Sequence, residues 1–305
     1  AYAIINHLRA SRVLPEDILE QLIARGEGVP LYLEEITKSF LDSGVLVEPG
    51  LEDDLAGSPS TDLIPPSLRS SLLARLDRLG PAKAVAQLAS TIGREFRLDV
   101  LEAVAQSPGK NLTGALEALI GAELIYPLPH SPDPAFLFRH ALIQDAAYQS
   151  MLKRTRREQH GRIARTYAEK FPEIAEQRPE LLAHHFAAGE RTHEATRYWF
   201  SAGRQSLANG ANYEAIAYLT SALEQLEALP PSAQRSEFEL DCFLALTPAL
   251  QMAKGWAAPE VEEAFKREAE LFKELPESPH ALKFLSSSTA FHVMRGNVGT
   301  ALEQS

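Results

Sequence analysis

The sequence contains few groups of residues whose types and spacing could perform catalysis. A phosphate-binding loop needs Gly-x-x-x-x-Gly-Lys followed by Ser or Thr, because backbone N–H groups cradle the phosphates and the hydroxyl binds Mg²⁺. The stretch AVAQSPGKN contains Gly109 and Lys110, but Val104 stands in place of the first glycine and Asn111 in place of the hydroxyl. This stretch therefore does not predict a phosphate loop.

The histidines and the cysteine fit structural roles better than catalytic ones. No H-E-x-x-H pattern occurs, and His184 and His185 are adjacent, so their rings should diverge on a helix instead of sharing a metal. No G-x-S-x-G elbow is present, and Cys242 lies in the apolar run DCFLALTPAL, where packing is the expected role. We expect no catalytic residue, no metal site and no enzymatic activity in this chain.

One cluster of basic residues stands out from the rest of the sequence. It comprises Lys153, Arg154, Arg156, Arg157, Arg162 and Arg165. Such a cluster could contact a nucleotide phosphate, nucleic acid or an acidic partner domain. It could equally be the solvated face of a helix, and both interpretations stay open.

Composition narrows the class of protein. The chain has 305 residues, 45% of them apolar, and a net charge of −11, which argues against a protein that coats nucleic acid. A single cysteine excludes an intrachain disulfide, and no apolar run approaches the roughly 18 residues of a membrane span. The sequence begins inside an apolar stretch, AYAIINHL, without Met. We expect a piece of a longer cytoplasmic protein.

The first 62 residues predict two short helices and a linker. Helical spacing of apolar residues runs through residues 15–44, and the two helices are joined at Gly26-Glu27-Gly28. Pro30 suits the first turn of the second helix, where its missing N–H is not needed. Residues 49–62 carry Gly, Pro, Ser and Asp without periodicity, which indicates a linker.

The next region predicts a winged-helix domain with a short β-hairpin. Pro66 opens a helix that ends at Gly80-Pro81, and three shorter helices are expected at about 82–91, 98–105 and 112–121. Two apolar runs, 124–128 and 135–138, then flank a Pro-rich turn. The third short helix lacks Lys and Arg, so it is poorly suited to bind DNA phosphates.

From His140 to the end the pattern is helical, with breaks expected at Phe171-Pro172, Pro179, Gly189, Gly210, Pro230-Pro231 and Pro276. The segments HEATRYWFSAG and YEAIAYLTSAL repeat a small–large–small pattern after 20 residues. This pattern is typical of stacked antiparallel helices, although its period is shorter than the roughly 34 residues of a tetratricopeptide repeat. We therefore predict a mostly α fold that ends in a TPR-like α-helical superhelix.

Three long blocks of this sequence carry a family resemblance. They are LPEDILEQLIARGEGVPLYLEEITKSFLDSG, IPPSLRSSLLARLDRLGPAKAVAQLASTIGREF and FLFRHALIQDAAYQSMLKRTRREQHGRIA. Together they resemble the ATPase and helical-repeat region of bacterial STAND signalling ATPases of the AAA-related class, in particular those fused to class III adenylate/guanylate cyclase domains. The resemblance implies a helical lid remnant (1–48), a linker (49–62), a winged-helix domain (63–152) and TPR-like repeats (153–305).

The resemblance also implies a nucleotide contact at three positions. Gly28 and Pro30 match the family's Gly-x-Pro motif, in which the Pro packs on the adenine. His140 matches a histidine that reaches the phosphate of ADP, although the common Met-His-Asp form is Arg139-His140-Ala141 here. A plain helix N-terminus at Pro30, and a structural His140 that caps the helix beginning at Ala141, remain alternatives.

The implied function is a non-catalytic regulatory and sensor fragment of a nucleotide-switched ATPase. The chain itself would hold no cofactor, and the full-length parent would bind ADP or ATP with Mg²⁺. Expected partners are an upstream nucleotide-binding core, a cyclase domain, and a protein or small-molecule ligand on the repeats, with neither nucleic acid nor membrane. The alternatives are part of a LuxR-type ATP-dependent transcription regulator, or a structural repeat scaffold with a degenerate ATPase.

Overall fold

The structure is a computed structural model that describes residues 68–105, 110–129 and 133–275. Single positions outside these stretches are also described, namely Ile5, Leu19, Glu20, Leu22, Ile23, Pro30, Leu33, Glu34, Thr37, Ser288, Thr289 and Val293. Gly28 and the predicted linker 49–62 lie outside the described residues. The described part is mostly helical with one small sheet, which confirms the predicted fold class.

The chain divides into two compact units, Ala1–Lys153 and Arg154–Ser305. This division lies one residue from the boundary at 152/153 that the sequence predicts. The finer domain assignments, including the lid and the winged helix, stay predictions. Each unit is described separately below.

The first unit combines short helices with a sheet. In chain order its continuously described elements are α1 (Leu68–Arg78), α2 (Pro81–Ile92), β1 (Glu95–Arg97), α3 (Leu98–Ala105), α4 (Lys110–Gly121), β2 (Ile125–Pro127), β3 (Ala135–Phe138) and α5 (Ala141–Gln149). The helices predicted after residue 65 and the hairpin are confirmed. Most of the two helices predicted within residues 15–44 lies outside the described residues. Strand β1 was not predicted, because three residues are too few to show the two-residue alternation of a strand.

The three strands of this unit form one sheet. Its strand order is β1-β3-β2, and both pairings are antiparallel. Phe96 on β1 lies opposite Phe136 on β3, with ring centroids 5.7 Å apart. Phe96 and Phe138 are almost fully buried and are among the largest buried side chains of the chain. This aromatic core places the end of β3, and therefore the start of α5, at a defined position.

The second unit is a series of helices joined by short turns. Its described elements are α6 (Lys153–Lys170), α7 (Pro172–Gln177), α8 (Pro179–Ala188), α9 (Thr192–Ala208), α10 (Asn212–Glu227), α11 (Ala233–Lys254) and α12 (Pro259–Glu274). The predicted breaks up to Pro230-Pro231 are confirmed, and Pro276 lies outside the described residues. The end of α11 at Gly255 was not predicted. That glycine has a φ of +88°, a left-handed conformation that favours Gly.

Each helix from α8 to α11 packs on the next helix in the chain. The small residues of the repeated pattern lie in these contacts, since Ala195 and Ala202 on α9 and Ala215 and Ala222 on α10 are all buried. A Cβ atom at Gly203 would lie 2.5 Å from Cγ of Leu219, so the two helices approach very closely there. The 20-residue pattern therefore relates one helix to its neighbour, not one helical pair to the next.

A side-chain cap begins helix α11, the longest helix of the described part. Ser232 accepts a hydrogen bond from the backbone N–H of Arg235 at 3.1 Å. We expect Ser232→Ala to lower the free energy of unfolding of the second unit by about 1 kcal/mol, because an N–H at the helix end loses its partner. Urea unfolding followed by Trp fluorescence measures this change, since both tryptophans, Trp199 and Trp256, lie in this unit.

Ser201→Ala is the matched control for this prediction. Ser201 is exposed in the middle of α9 and is not a cap. Its replacement should leave stability unchanged or slightly higher, because Ala is the better helix former. Equal effects of the two substitutions would contradict the assigned cap.

Candidate functional site

The predicted adenine contact is only partly within the described residues. Pro30 is helical and exposed, whereas Gly28 is not described. The positions that follow it show which side is buried: Leu33 is 4% exposed, and the hydroxyl of buried Thr37 donates to the carbonyl of Leu33 at 2.6 Å. Among these described positions, Leu33 and Thr37 are buried and Pro30 is exposed.

His140 lies at the junction between β3 and α5. Its backbone is extended, with φ of −137° and ψ of 146°, and its carbonyl accepts from the N–H of Ile143 at 3.0 Å. The residue therefore occupies the N-cap position of α5, but its side chain makes no capping hydrogen bond. The alternative in which the imidazole caps this helix is not what the structure shows, and the predicted phosphate contact stays a prediction.

Arg139, the residue before His140, connects this junction to the segment that carries Pro30. Its Nη1 lies 3.1 Å from Oε2 of Glu123, and its Nη2 lies 3.5 Å from Oε1 of Glu34. Arg139, next to His140, therefore contacts a residue four positions after Pro30, although Pro30 and His140 lie 110 residues apart in sequence.

A buried arginine, Arg75, lies close to the charged residues of this junction. Nη2 of Arg75 donates to the carbonyl of Ala122 at 2.6 Å, and the Arg75 side chain is almost fully buried. Burial lowers the pKa of Arg75, while the carboxylates of Glu123 and Glu34 act in the opposite direction. Sequence reasoning missed this cluster, because Arg75, Glu123 and Arg139 belong to three separate elements and share no motif.

The predicted basic cluster lies along α6, where several of its cations already have partners. Arg154 donates to Glu158 at 2.7 Å, Arg157 donates to Glu190 at 2.6 Å, and Nε of Arg165 donates to the carbonyl of Gly161 at 3.1 Å. Exposed ion pairs of this kind contribute about 0–1 kcal/mol each to stability, so a stronger anion could displace them. Both interpretations of the cluster stay open.

Two buried histidines face each other in the second unit. Nδ1 of His160 lies 2.8 Å from Nδ1 of His185, and both side chains are almost fully buried. Burial lowers the pKa of His160 to about 4, with His184 and Arg156 adding to the effect. The rings of His184 and His185 are inclined by 74°, one exposed and one buried, which confirms that they diverge.

Among the described residues, no three His, Cys, Asp or Glu side chains are grouped so that they could hold a metal ion. In the described part of the chain, no helix is both long and apolar enough to cross a membrane. Cys242 is buried, and burial raises the pKa of its thiol. This thiol is therefore poorly suited to act as a nucleophile.

Comparison with known proteins gives limited matches. No family model matches the chain. It is 27% identical over 259 residues to an uncharacterised protein of Rhizobium meliloti (strain 1021), a match that covers 84% of this chain and 25% of that protein. A solved chain from Pyrococcus horikoshii, a signal transduction ATPase with numerous domains (STAND) protein with a tetratricopeptide repeat sensor, matches with a TM-score of 0.35 and 11% identity, over 99% of this chain and 45% of that chain. The chain thus spans less than half the length of either protein.

Proposed function

We propose that this chain is a non-catalytic regulatory and sensor part of a nucleotide-switched signalling ATPase of the STAND class, associated with an adenylate or guanylate cyclase. In this proposal the first unit supplies a helical lid segment and a winged-helix domain, and the second unit supplies the sensor repeats. The nucleotide-binding core and the cyclase belong to the longer parent protein. The three resembling sequence blocks named above motivate the family assignment.

The contact between Arg139 and Glu34 carries the proposal. It connects Glu34, four positions after Pro30, with the residue next to His140, and this supports the proposal that Pro30 and His140 act at one nucleotide site. Pro30 offers a stiff apolar face to a base. An imidazole can donate a hydrogen bond to a phosphate oxygen and can become charged near neutral pH.

The regulatory effect would follow from linkage. A nucleotide held between the core, the lid segment and the winged helix stabilises one domain arrangement only by its higher affinity for that arrangement. A ligand on the repeats that prefers the other arrangement would weaken ADP binding. ADP would weaken the binding of that ligand by the same factor. The residues of this chain would position and hold the nucleotide. ADP, or ATP with Mg²⁺, would supply the phosphate groups on which the switch depends.

A LuxR-type transcription regulator stays the alternative prediction. In the structure, α4 begins at Lys110, two residues earlier than predicted, so one Lys is added to a helix that otherwise lacks basic residues. One cation falls short of the basic surface that phosphate contacts on DNA require. We therefore keep the regulatory ATPase as the favoured function.

The chain alone is expected to lack a complete nucleotide site. A titration with a fluorescent ADP analogue, followed by anisotropy, should show no binding that unlabelled ADP or ATP can compete. Saturable and competed binding by the chain alone would contradict the half-site and would require a phosphate site within these 305 residues.

The parent protein, with its core present, tests the two named contacts. We expect His140→Ala to weaken ADP binding by at least about tenfold, because a hydrogen bond to a charged group contributes about 1.5–3 kcal/mol. Pro30→Ala should weaken ADP and ATP similarly, because it removes apolar contact with the base, which both share. His184→Ala, an exposed histidine of the second unit, is the matched control. Unchanged ADP affinity in both variants would overturn the proposal.

A further inference from the structure

A pocket of about 250 Å³ lies in the second unit between α9, the end of α10 and the start of α11. Its polar lining includes Arg197 from α9 and Ser232 and Arg235 from the start of α11. None of the residues that line it is acidic, although the whole chain carries a net charge of −11. The pocket therefore concentrates positive charge in an acidic protein.

Arg235 has hydrogen-bonding capacity that the described protein atoms do not use. Its Nη1 donates to the carbonyl of Leu229 at 3.1 Å, which holds the side chain against the loop before α11. Its Nε is buried and has no hydrogen-bond partner among the described residues. Because Arg235 lines the pocket, its charged guanidinium lies beside any anion that enters.

Two further features add to the attraction for an anion. Arg197 is exposed on α9 and forms no ion pair or hydrogen bond with another described side chain, so its guanidinium is available. The pocket also lies at the N-terminus of the 22-residue helix α11, where the helix dipole favours negative charge. Ser232 occupies the cap of that helix, so the geometry of this end is defined.

Part of the pocket wall is apolar. It includes Leu226, which is 3% exposed, together with Leu229, Pro230 and Phe238. Phe238 is held in place by Phe200, whose ring centroid lies 5.1 Å away in an edge-to-face arrangement. Such a wall stabilises the apolar part of a ligand, while the arginines bind its charged end.

We propose that this pocket binds a small organic anion, namely a carboxylate or phosphate group attached to a compact apolar body. The volume is below the range of about 300–1,000 Å³ that is usual for drug-sized ligands, which favours a small molecule. The inference rests on the proposed function, because it identifies the site at which the sensor repeats receive their ligand.

Titration calorimetry of the 305-residue chain tests this site with four probes. Phenyl phosphate and benzoate present the two anionic groups on an apolar ring, benzyl alcohol presents the ring without charge, and inorganic phosphate presents the charge without the ring. We expect saturable binding of at least one aromatic anion, with benzyl alcohol and inorganic phosphate at least about tenfold weaker, since each lacks one of the two contributions. The stronger of the two aromatic anions identifies the preferred charged group.

Substitutions test whether the anion binds in this pocket. Arg235→Gln and Arg197→Gln should each weaken binding of the preferred anion by about tenfold or more. Lys254→Gln, with the same charge change at the other end of α11, about 28 Å along the helix from Arg235, should change affinity less than about threefold, because exposed charges at a distance are screened. Arg197 is exposed, so its variant keeps the test valid if Arg235→Gln proves unstable.

Two results would overturn the site: no saturable binding of either aromatic anion, or full binding in both arginine variants. The ADP experiments on His140 are independent of these titrations, because they depend on the first unit and the core. Retained ADP effects without anion binding would reject the pocket alone, whereas anion binding without ADP effects would reject the nucleotide switch alone.

Discussion

Gly189→Ala is expected to destabilise the second unit by about 2–3 kcal/mol, the upper range for forcing extra atoms into a tight contact. A Cβ atom at this position would lie 2.8 Å from the backbone nitrogen and 3.0 Å from the Cα of Gly161, and 3.1 Å from the carbonyl oxygen of His185. All three are backbone atoms, so no side-chain rotation can relieve the overlap. The end of α8 would have to move away from α6.

Gly161→Ala provides a control from the other side of the same contact. A Cβ at Gly161 would meet no atom within 4 Å outside its own helix. Because Ala is favoured over Gly in a helix by about 1 kcal/mol, this substitution should leave stability unchanged or raise it. Urea unfolding followed by the fluorescence of Trp199 and Trp256 measures both variants. Similar losses for the two substitutions, or no loss for Gly189→Ala, would show that the helices do not approach in this way.

The buried histidine pair is expected to make the second unit less stable in mild acid. His160 and His185 share a hydrogen bond in which one Nδ1 donates and the other accepts, so one ring at least must present an unprotonated Nδ1. The groups around the pair oppose added charge: His184 and Arg156 both lower the pKa of His160. The ring of Tyr167, 6.2 Å from that of His185, adds apolar surface on the same side.

The direction of this pH effect follows from the pKa of His160 in the folded and the unfolded state. Its pKa is about 4 in the folded protein and about 6.5 in the unfolded chain, so between these values the unfolded state binds more protons. The contribution of His160 to the free energy of unfolding is therefore fully present above about pH 6.5. It decreases as the pH falls through 6.5 and is completely lost below about pH 4. Between pH 7 and pH 5 the expected loss from this residue is about 2 kcal/mol.

The measurement compares the urea unfolding free energy of the second unit at pH 7 and pH 5. In His160→Gln the difference between the two pH values should shrink by about 2 kcal/mol, since the titrating group is gone. His193→Gln, which removes an exposed histidine on α9, should retain the difference found in the unaltered chain. An equal pH dependence in all three proteins would contradict the assigned role of His160.

Local chemistry predicted most of the helices and their ends. Pro172, Pro179 and Gly210 interrupt helical patterns, and the structure ends or begins a helix beside each of them, because these residues restrict or free the backbone locally. The predictions failed where the local signal is short, as in the three-residue strand β1. The residues of that strand acquire their pairing only from β3, which lies almost 40 residues further along the chain.

The candidate sites also combine residues that the sequence identified with contacts that only the structure shows. The sequence alone singled out Pro30 and His140 by their resemblance to known motifs, and the adjacent His184 and His185 by their type. It gave no sign that Arg139 would contact Glu34, because an ion pair depends on where two side chains lie in space and not on any local pattern. The cluster around Arg75 was missed for this reason.

The sequence by itself determined the mostly helical class, the order of the elements and the excess of negative charge, since each depends on local propensity or on composition. Only the tertiary structure decided that His160 faces His185 and that Arg197 and Arg235 line one pocket without an acidic neighbour in its lining. These pairs lie 25 and 38 residues apart. Their proximity results from how neighbouring helices pack, which depends on the combined shape of many side chains and cannot be inferred from spacing along the chain.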